Sequence, residues 1–597
     1  MKIQQNNNEK LSFFRDLYAN ANNASSDVQE SLNRAMEQYR GSLEIDGSQE
    51  KALTVRNITY EIIESQVSSD IPMPKADPTS YSEGRGRNAE AIERLLRTLR
   101  NQLPFEEMND MDERYTYIYG GSVWYVEWDN SKEYQGEVGG VSVYCLSPRD
   151  FIGQPGIHSV KDMEYCFLRF TTTRGELQRR YGVDDEDINS AECEFEYNSV
   201  NPDTDAVTLI ICFYKDEDGE VGRFIFSGDL VLSDIPKYYR RRACTCKRCN
   251  KDYEDCTCEK PERAMREEES EEISTDIFLK SGVKIPRMTP TVTNEGVKLM
   301  KTKIPYYVPK HFPIVIRKNT SCEGSLLGQS DCDYIRPQQQ AINKIESRIL
   351  MKLLRAGITP IMPEDASVAM NNSVFGQVIK MKPGESTAQY GKVDTTPDIS
   401  QDIAEAERMY NHAKRVLGIT DAYLGFSESK SESGYSKQLS ISQSSGRLES
   451  KRKMKNSAYA ELDKIIFSLY LAFADEPRRL SYRDAYGRIH SEEFNRYNFV
   501  EFDMKSGTYY YDDAYLFSVD LNGGAEYQRE LLWQRNLENL KAGTLGDPSS
   551  PITLLRYWQC QERAHYPHAR ENVEYFIKET EKGEPGNEKE SVPTILL

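Results

Sequence analysis

Between Pro337 and Ala474 the chain carries three long helical patterns joined by two connections of opposite character, and this succession constrains the fold most. The first pattern begins near Pro337, a residue favoured in the opening turn of a helix, and continues through QQQAINKIESRILMKLLRA. Ile342, Ile345, Ile349 and Leu353 recur at helical spacing as an apolar stripe, with Lys344, Arg348, Lys352 and Arg355 as a basic stripe beside it. The second pattern spans about Asp398 to Leu417, with Ile399, Ile403, Ala406 and Tyr410 on one face. Its acids Asp398, Asp402 and Glu405 come early and Lys414 and Arg415 come late, which complements the helix dipole. At about 1.5 Å per residue each helix reaches roughly 30 Å. The region between them, Gly357 to Pro397, is punctuated by Gly and Pro and holds one strand-like run, VFGQVIKM. The pattern predicts an αα-hairpin with a small β-bearing tip; its plainer form is a helical hairpin within a globular domain.

The second connection is a polar loop, GITDAYLGFSESKSESG, dense in Ser, Glu and Lys and hinged on Gly425 and Gly434. From Gly434 to about Ala474 no proline occurs, Arg and Lys recur regularly, and a third helix is predicted. Small hydroxyls and solvated charges give the loop no group with perturbed chemistry. It reads as a mobile element mounted between two helices rather than as a catalytic loop.

The rest of the chain is mixed. Leu11, Phe14, Leu17 and Tyr18 keep helical spacing, as do Ile92, Leu95, Leu96 and Leu99 with Arg94 and Arg97 between them. From Gly120 the period shortens: GGSVWYVEWD, GGVSVYCLSP and EYCFLRFTTT are short aromatic and β-branched runs bounded by Gly, Pro and Asp, hence strands. Asp218-Gly219 between two apolar runs predicts a hairpin. An α+β unit thus reaches to about Asn319, interrupted by an insertion holding a cysteine cluster and the acidic run Glu267 to Glu272. Beyond Pro477 mixed structure returns and leads to PITLLRYWQCQERAHYPHARENVEYF and a polar tail.

A chain of 597 residues is too long for one core and large enough to bury several. With 76 basic against 95 acidic residues the net charge is −19, which argues against a surface that grips nucleic acid throughout. It does not argue against a protein past which DNA must slide without sticking. The start, MKIQQNNNEK, lacks an apolar core, and the longest apolar run, IIFSLYLAFA, is too short to span a bilayer. A soluble protein made in a reducing cytosol is expected, without membrane attachment.

In such a compartment, five cysteines crowded between Cys244 and Cys258 point to metal rather than disulfides. A structural zinc on Cys246, Cys249, Cys256 and Cys258 is expected, with Cys244 as an alternative ligand and free thiols as the competing reading. Signals for catalysis are absent: no GxxxxGK[ST] or HExxH occurs, and the six histidines pair with no nucleophile. Tyr509 to Asp513 (YYYDD) resembles a polymerase palm only faintly, and His565-Tyr566-Pro567-His568 is broken by proline.

The order of these parts resembles the portal proteins of tailed bacteriophages, the head-to-tail connectors of the capsid. GSLLGQSDCDYIRPQQQAINKIESRI resembles the approach to the first stem helix. DAYLGFSESKSESGYSKQ followed by GRLESKRK resembles the junction of tunnel loop and long helix, and EFEYN with LSPRDFIGQPG resembles the wing. The likeness covers roughly residues 50 to 475; the cysteine insertion departs from it. It implies an α+β, portal-like fold: a mixed wing over 1–327 with a Cys-rich insertion at about 240–285, a first stem helix at 328–356 and a small β-bearing clip at 357–396. A second stem helix at 397–418, a tunnel loop at 419–433, a long wing helix at 434–476 and a C-terminal wing or crown-like region at 477–597 complete it.

It further implies a homo-oligomeric ring, usually dodecameric, at one capsid vertex of the virion, assembled in the host cytoplasm. Double-stranded DNA would pass through its channel during packaging and ejection. The terminase large subunit, head–tail adaptor and major capsid proteins would be its partners. Phe426, Ser427, Glu428, Ser429, Lys430 and Ser431 would line the tunnel loop, with Lys430 touching DNA. Lys344, Arg348, Lys352 and Arg355 would pair with Asp402 and Glu405 of a neighbouring subunit or face the channel. A zinc-containing nucleic-acid-binding protein of phage replication is the alternative.

Overall fold

In the computed structural model the third helix runs Gly434–Phe473, and its two halves differ in character. From Ala458 onward Tyr459, Leu462, Ile465, Ile466, Phe467, Leu469, Tyr470 and Leu471 are all buried. A narrow strip at Glu461 and Lys464 reaches the surface, and the rest of this half is the axis of the main core. The structure describes residues 7–41, 54–184, 206–246, 301–355, 397–419, 434–483, 489–520 and 526–582, isolated positions aside. It also describes strand segments between 263 and 297, at 358–361 and at 391–394.

Three sets of elements enclose that axis. A three-stranded antiparallel sheet places Gly121–Tyr134 between Ile314–Lys318 and Glu137–Leu146, as the aromatic runs predicted. The helix Glu83–Gln102 contributes Ile92, Leu95, Leu96 and Leu99. The chain after Pro477 returns to the same core in three pieces: the hairpins Arg478–Arg483 with Ile489–Phe494 and Val500–Asp503 with Thr508–Tyr511, and the strand Tyr515–Asp520 paired with Met73–Pro78. Each large side chain so buried contributes about 1.5–3 kcal/mol.

A second, five-stranded antiparallel meander runs Phe151–Gly153, Tyr165–Thr173, Ala206–Lys215, Val221–Ser227 and Leu230–Ile235. The predicted hairpin is present, and Gly219 takes the left-handed φ of +77° that the turn requires. Alternation puts Leu209, Ile211 and Phe213 into the main core and Ile210, Cys212 and Tyr214 on the other face. The helix Asn7–Ala24 covers that other face, with Phe14 stacked on Phe224 at 4.6 Å and Tyr18 edge-on to Phe167 at 5.3 Å.

The predicted αα-hairpin is formed by Asp331–Arg355 and Ser400–Leu417. The first helix starts earlier than Pro337, which lies inside it and removes one rung of the hydrogen-bond ladder. The start is set by Ser330, whose hydroxyl accepts the Cys332 N–H at 3.0 Å, with Asp331 and Asp333 in the first turn. Strands Ile358–Ile361 and Gly391–Asp394 pair antiparallel and close the intervening region at its base; VFGQVIKM lies outside the described residues. In the insertion, Arg241–Cys246 pairs antiparallel with Arg263–Glu268, setting Cys246 opposite Arg263. Helices Glu526–Lys541, Pro551–Arg563 and Ala569–Lys582 end the described chain, where Tyr566 meets Trp533 and Trp558 edge-on.

Candidate functional site

The stem hairpin is held at its root. The short helix Ile58–Glu64 inserts Ile58 and Ile62 among Ile335, Ile342, Tyr410, Ala413 and Leu417 of the two stem helices. Polar contacts fix the angle: Arg56 pairs with Glu407 at 2.7 Å and lies over the Tyr410 ring, and the Tyr410 hydroxyl donates to Glu61. Gln339 accepts from the Thr59 N–H and donates to the Arg56 carbonyl. Further out, Ile345, Ile349 and Ala406 form a small cluster of their own, joined by Ile399 and Met409.

Asp402, expected opposite cations of a neighbouring subunit, is engaged by Arg348 and Lys352 of its own chain, the latter at 2.5 Å. Hydrogen bonds from Lys352 and then Arg348 hold its carboxyl below the usual carboxylate range. Glu405 pairs with Arg408 one turn along its own helix at 2.6 Å. Lys344 is exposed, and Arg348 stays about half exposed while bound. Two cations thus bracket Asp402, with Asp398 also near Lys352, and Lys344 lies exposed one turn before Arg348. The side chain of Arg355 lies outside the described residues, as do Phe426, Ser427, Glu428, Ser429, Lys430 and Ser431.

The polar half of the long helix turns two of its regularly recurring cations towards the interior. Lys451 and Lys455, one turn apart, point inward. Lys455 pairs with Glu113 at 3.0 Å and donates to the Asp70 carbonyl at 2.6 Å. Lys451 pairs with Asp331 at 2.6 Å, donates to Gln66 at 3.1 Å and lies over the Tyr117 ring. Arg317, fully buried, joins Asp112 and Glu113, and Asp112 also accepts from the Trp124 indole N–H at 3.0 Å. Asp331 further accepts from Asn319 at 2.8 Å and Gln66 at 3.0 Å. Three acids and three bases therefore balance inside the protein, as buried charge requires. Burial alone would raise the Glu113 carboxyl; Arg317 and Lys455 hold it below its ordinary value.

The chain reaches Asp331 through a close backbone crossing. The Gly120 carbonyl accepts from both Asn319 (2.9 Å) and Gly328 (2.8 Å), and Gly120 itself sits at φ +88°. A Cβ there would stand 2.3 Å from the Gly328 carbonyl oxygen, so only glycine fits.

The remaining sequence candidates resolve as follows. Asp512 pairs with Arg85 at 3.0 Å and Asp513 accepts from the Tyr307 hydroxyl at 2.8 Å, while Tyr509 and Tyr511 are buried. The YYYDD run is thus a core strand with satisfied acids, not a metal-binding palm. Cys244 and Cys246 lie on the strand Arg241–Cys246; Cys249, Cys256 and Cys258 lie outside the described residues, as do His565 and His568. Among the described residues no group of three or more His, Cys, Asp or Glu is placed to hold a metal ion. Nor is any helix among them long and apolar enough to cross a membrane.

The described residues thus form a mixed helix-and-sheet body, a two-helix hairpin rooted in it, and a long helix whose lysines reach the start of that hairpin. Comparison with known families matches residues 68–480 to the phage P22-like portal proteins, well over half of the chain, and the chain belongs to that family. The match nearly coincides with the stretch of roughly 50 to 475 that carried the resemblance. No curated protein matches the chain. Family membership gives it a portal role in a phage head, as a structural component of the capsid. The alternative reading as a zinc-containing replication protein gains nothing from these findings.

Proposed function

We propose that this protein assembles as a closed ring, with about twelve copies related head to tail, at one vertex of the capsid. The ring is the channel through which double-stranded DNA enters and leaves. The observation that carries this reading is the stem: two helices gripped at their root, with Lys344 and the exposed part of Arg348 available to a neighbouring stem or the channel. An overall charge of −19 supports passage without retention, since sustained phosphate contact needs many cations. The region between the stem helices docks the terminase large subunit during packaging and the head–tail adaptor afterwards, and the wing faces the major capsid protein.

On this reading the loop between the second stem helix and the long helix meets DNA, with Lys430 making the contact and its neighbours only flanking it. Deleting Phe426 to Ser433 leaves ring assembly intact and lowers packaged or retained DNA. Undiminished packaging by deletion rings removes the loop from the mechanism.

The cysteine insertion is a local zinc staple. Its support is the strand pair that sets Cys246 opposite Arg263, at the two ends of the segment that carries Cys249, Cys256 and Cys258 in sequence. Protein purified without chelator contains about one zinc per chain; a metal-free, fully folded protein contradicts the staple.

A further inference from the structure

The six-charge network beneath the loop-bearing helix joins segments that are distant in sequence: Gln66 to Asp70, Asp112 and Glu113, Arg317 to Asp331, and Lys451 to Lys455. Its two lysines are not equivalent. Lys455 is sealed in, 6% exposed against a Glu113 that is 1% exposed, and Glu113 is shared with Arg317. Lys451 is more accessible, at 11%, and it is the cation on Asp331, the first residue of the first stem helix. Asn319 and Gln66 give that carboxylate two further hydrogen bonds but no charge. If Lys451 withdraws, Asp331 is left as a buried anion with neutral partners only, a state that buried charge strongly disfavours.

We infer that this network is a latch: Lys455 is the fixed anchor of the loop-bearing helix, and Lys451 is the releasable arm that ties its polar half to the first turn of the stem. A displacement of the polar half that frees Lys451 destabilises the stem's first turn, and loosening of that turn frees Lys451. The apolar half cannot follow such a displacement, because Tyr459, Leu462, Ile465, Ile466, Phe467, Leu469, Tyr470 and Leu471 are locked into the main core. Motion therefore concentrates between the loop and Lys455. The coupling is a property of the fold and holds whether or not the loop touches DNA.

Amide hydrogen exchange on the full-length protein tests it. Lys451→Met speeds exchange at 332–336, across the helix interface from the substitution, by on the order of ten-fold. Lys451→Arg, which keeps the cation, leaves those amides near the wild-type rate. Asp331→Asn gives the reciprocal result, faster exchange at 448–454. Acceleration in Lys451→Met confined to residues flanking 451 overturns the latch. So does failure of both Lys451→Met and Asp331→Asn to fold, which would mark the network as general core support.

Discussion

Asp463 shows at the residue scale how position overrides composition. It lies on the buried half of the long helix, paired with Arg100 at 2.8 Å, and Arg100 in turn lies over the rings of Phe105 and Tyr459. Burial pushes its carboxyl up to about 6 from an ordinary 3.8, against the pull of Arg100. A carboxyl raised in this way favours the fold fully below its unfolded pKa. The advantage is lost as pH rises towards 6, at a cost of about 3 kcal/mol. Asp463→Asn therefore removes a downward step in stability between about pH 4 and 6, whatever it does to stability overall. Denaturant titrations of both proteins at pH 4 and pH 7 check this, and parallel changes in the two contradict it. The step is opposed in the wild type by Glu113, whose lowered pKa adds stability as pH rises. None of this was legible in the sequence. Lys451 and Lys455 fall there among regularly recurring Arg and Lys, because the acids that pair with them, Asp331 and Glu113, lie more than a hundred residues away.

The helices were the most legible elements, since a long apolar period survives whatever packs on it. The three patterns in the middle of the chain, and those at Leu11 to Tyr18 and Ile92 to Leu99, all correspond to helices. The misplaced boundary at Pro337 has a local cause: proline outweighed the Ser330-Asp331-Cys332-Asp333 cap, which is the stronger start signal once read. The partners of charged side chains were less legible than the helices themselves. The Asp402 contacts lie within one chain because the strands Ile358–Ile361 and Gly391–Asp394 pair antiparallel between the two helices, which returns Asp402 beside Arg348 and Lys352. What remains available on that face is Lys344 and the exposed part of Arg348. Lys344→Glu combined with Arg348→Glu keeps the stem folded and lowers the yield of rings if the face meets a neighbouring stem. Normal ring yield with slower DNA passage would place the same face on the channel. Sedimentation of the double variant separates the two outcomes.

At the scale of the whole molecule, the order of parts carried more information than any residue in it. A mixed body, a two-helix stem, a loop and a long returning helix were readable from periodicity and punctuation. The family match covers residues 68–480, the span that holds most of these parts. The sequence could not show that strands beyond Pro477 close the same core as those near Gly120, because sheet pairing over such separations leaves no local signal. Nor could it show that the loop-bearing helix is pinned at Asp331 and Glu113. These two facts tie the chain after Pro477 into the main core and the long helix to the start of the helix Asp331–Arg355. The central claim is that this body closes into a ring. Negative-stain electron microscopy of purified full-length protein over a range of ionic strengths tests it directly. Closed rings of about twelve copies with an open axial channel are predicted; dispersed monomers under every condition would contradict the account.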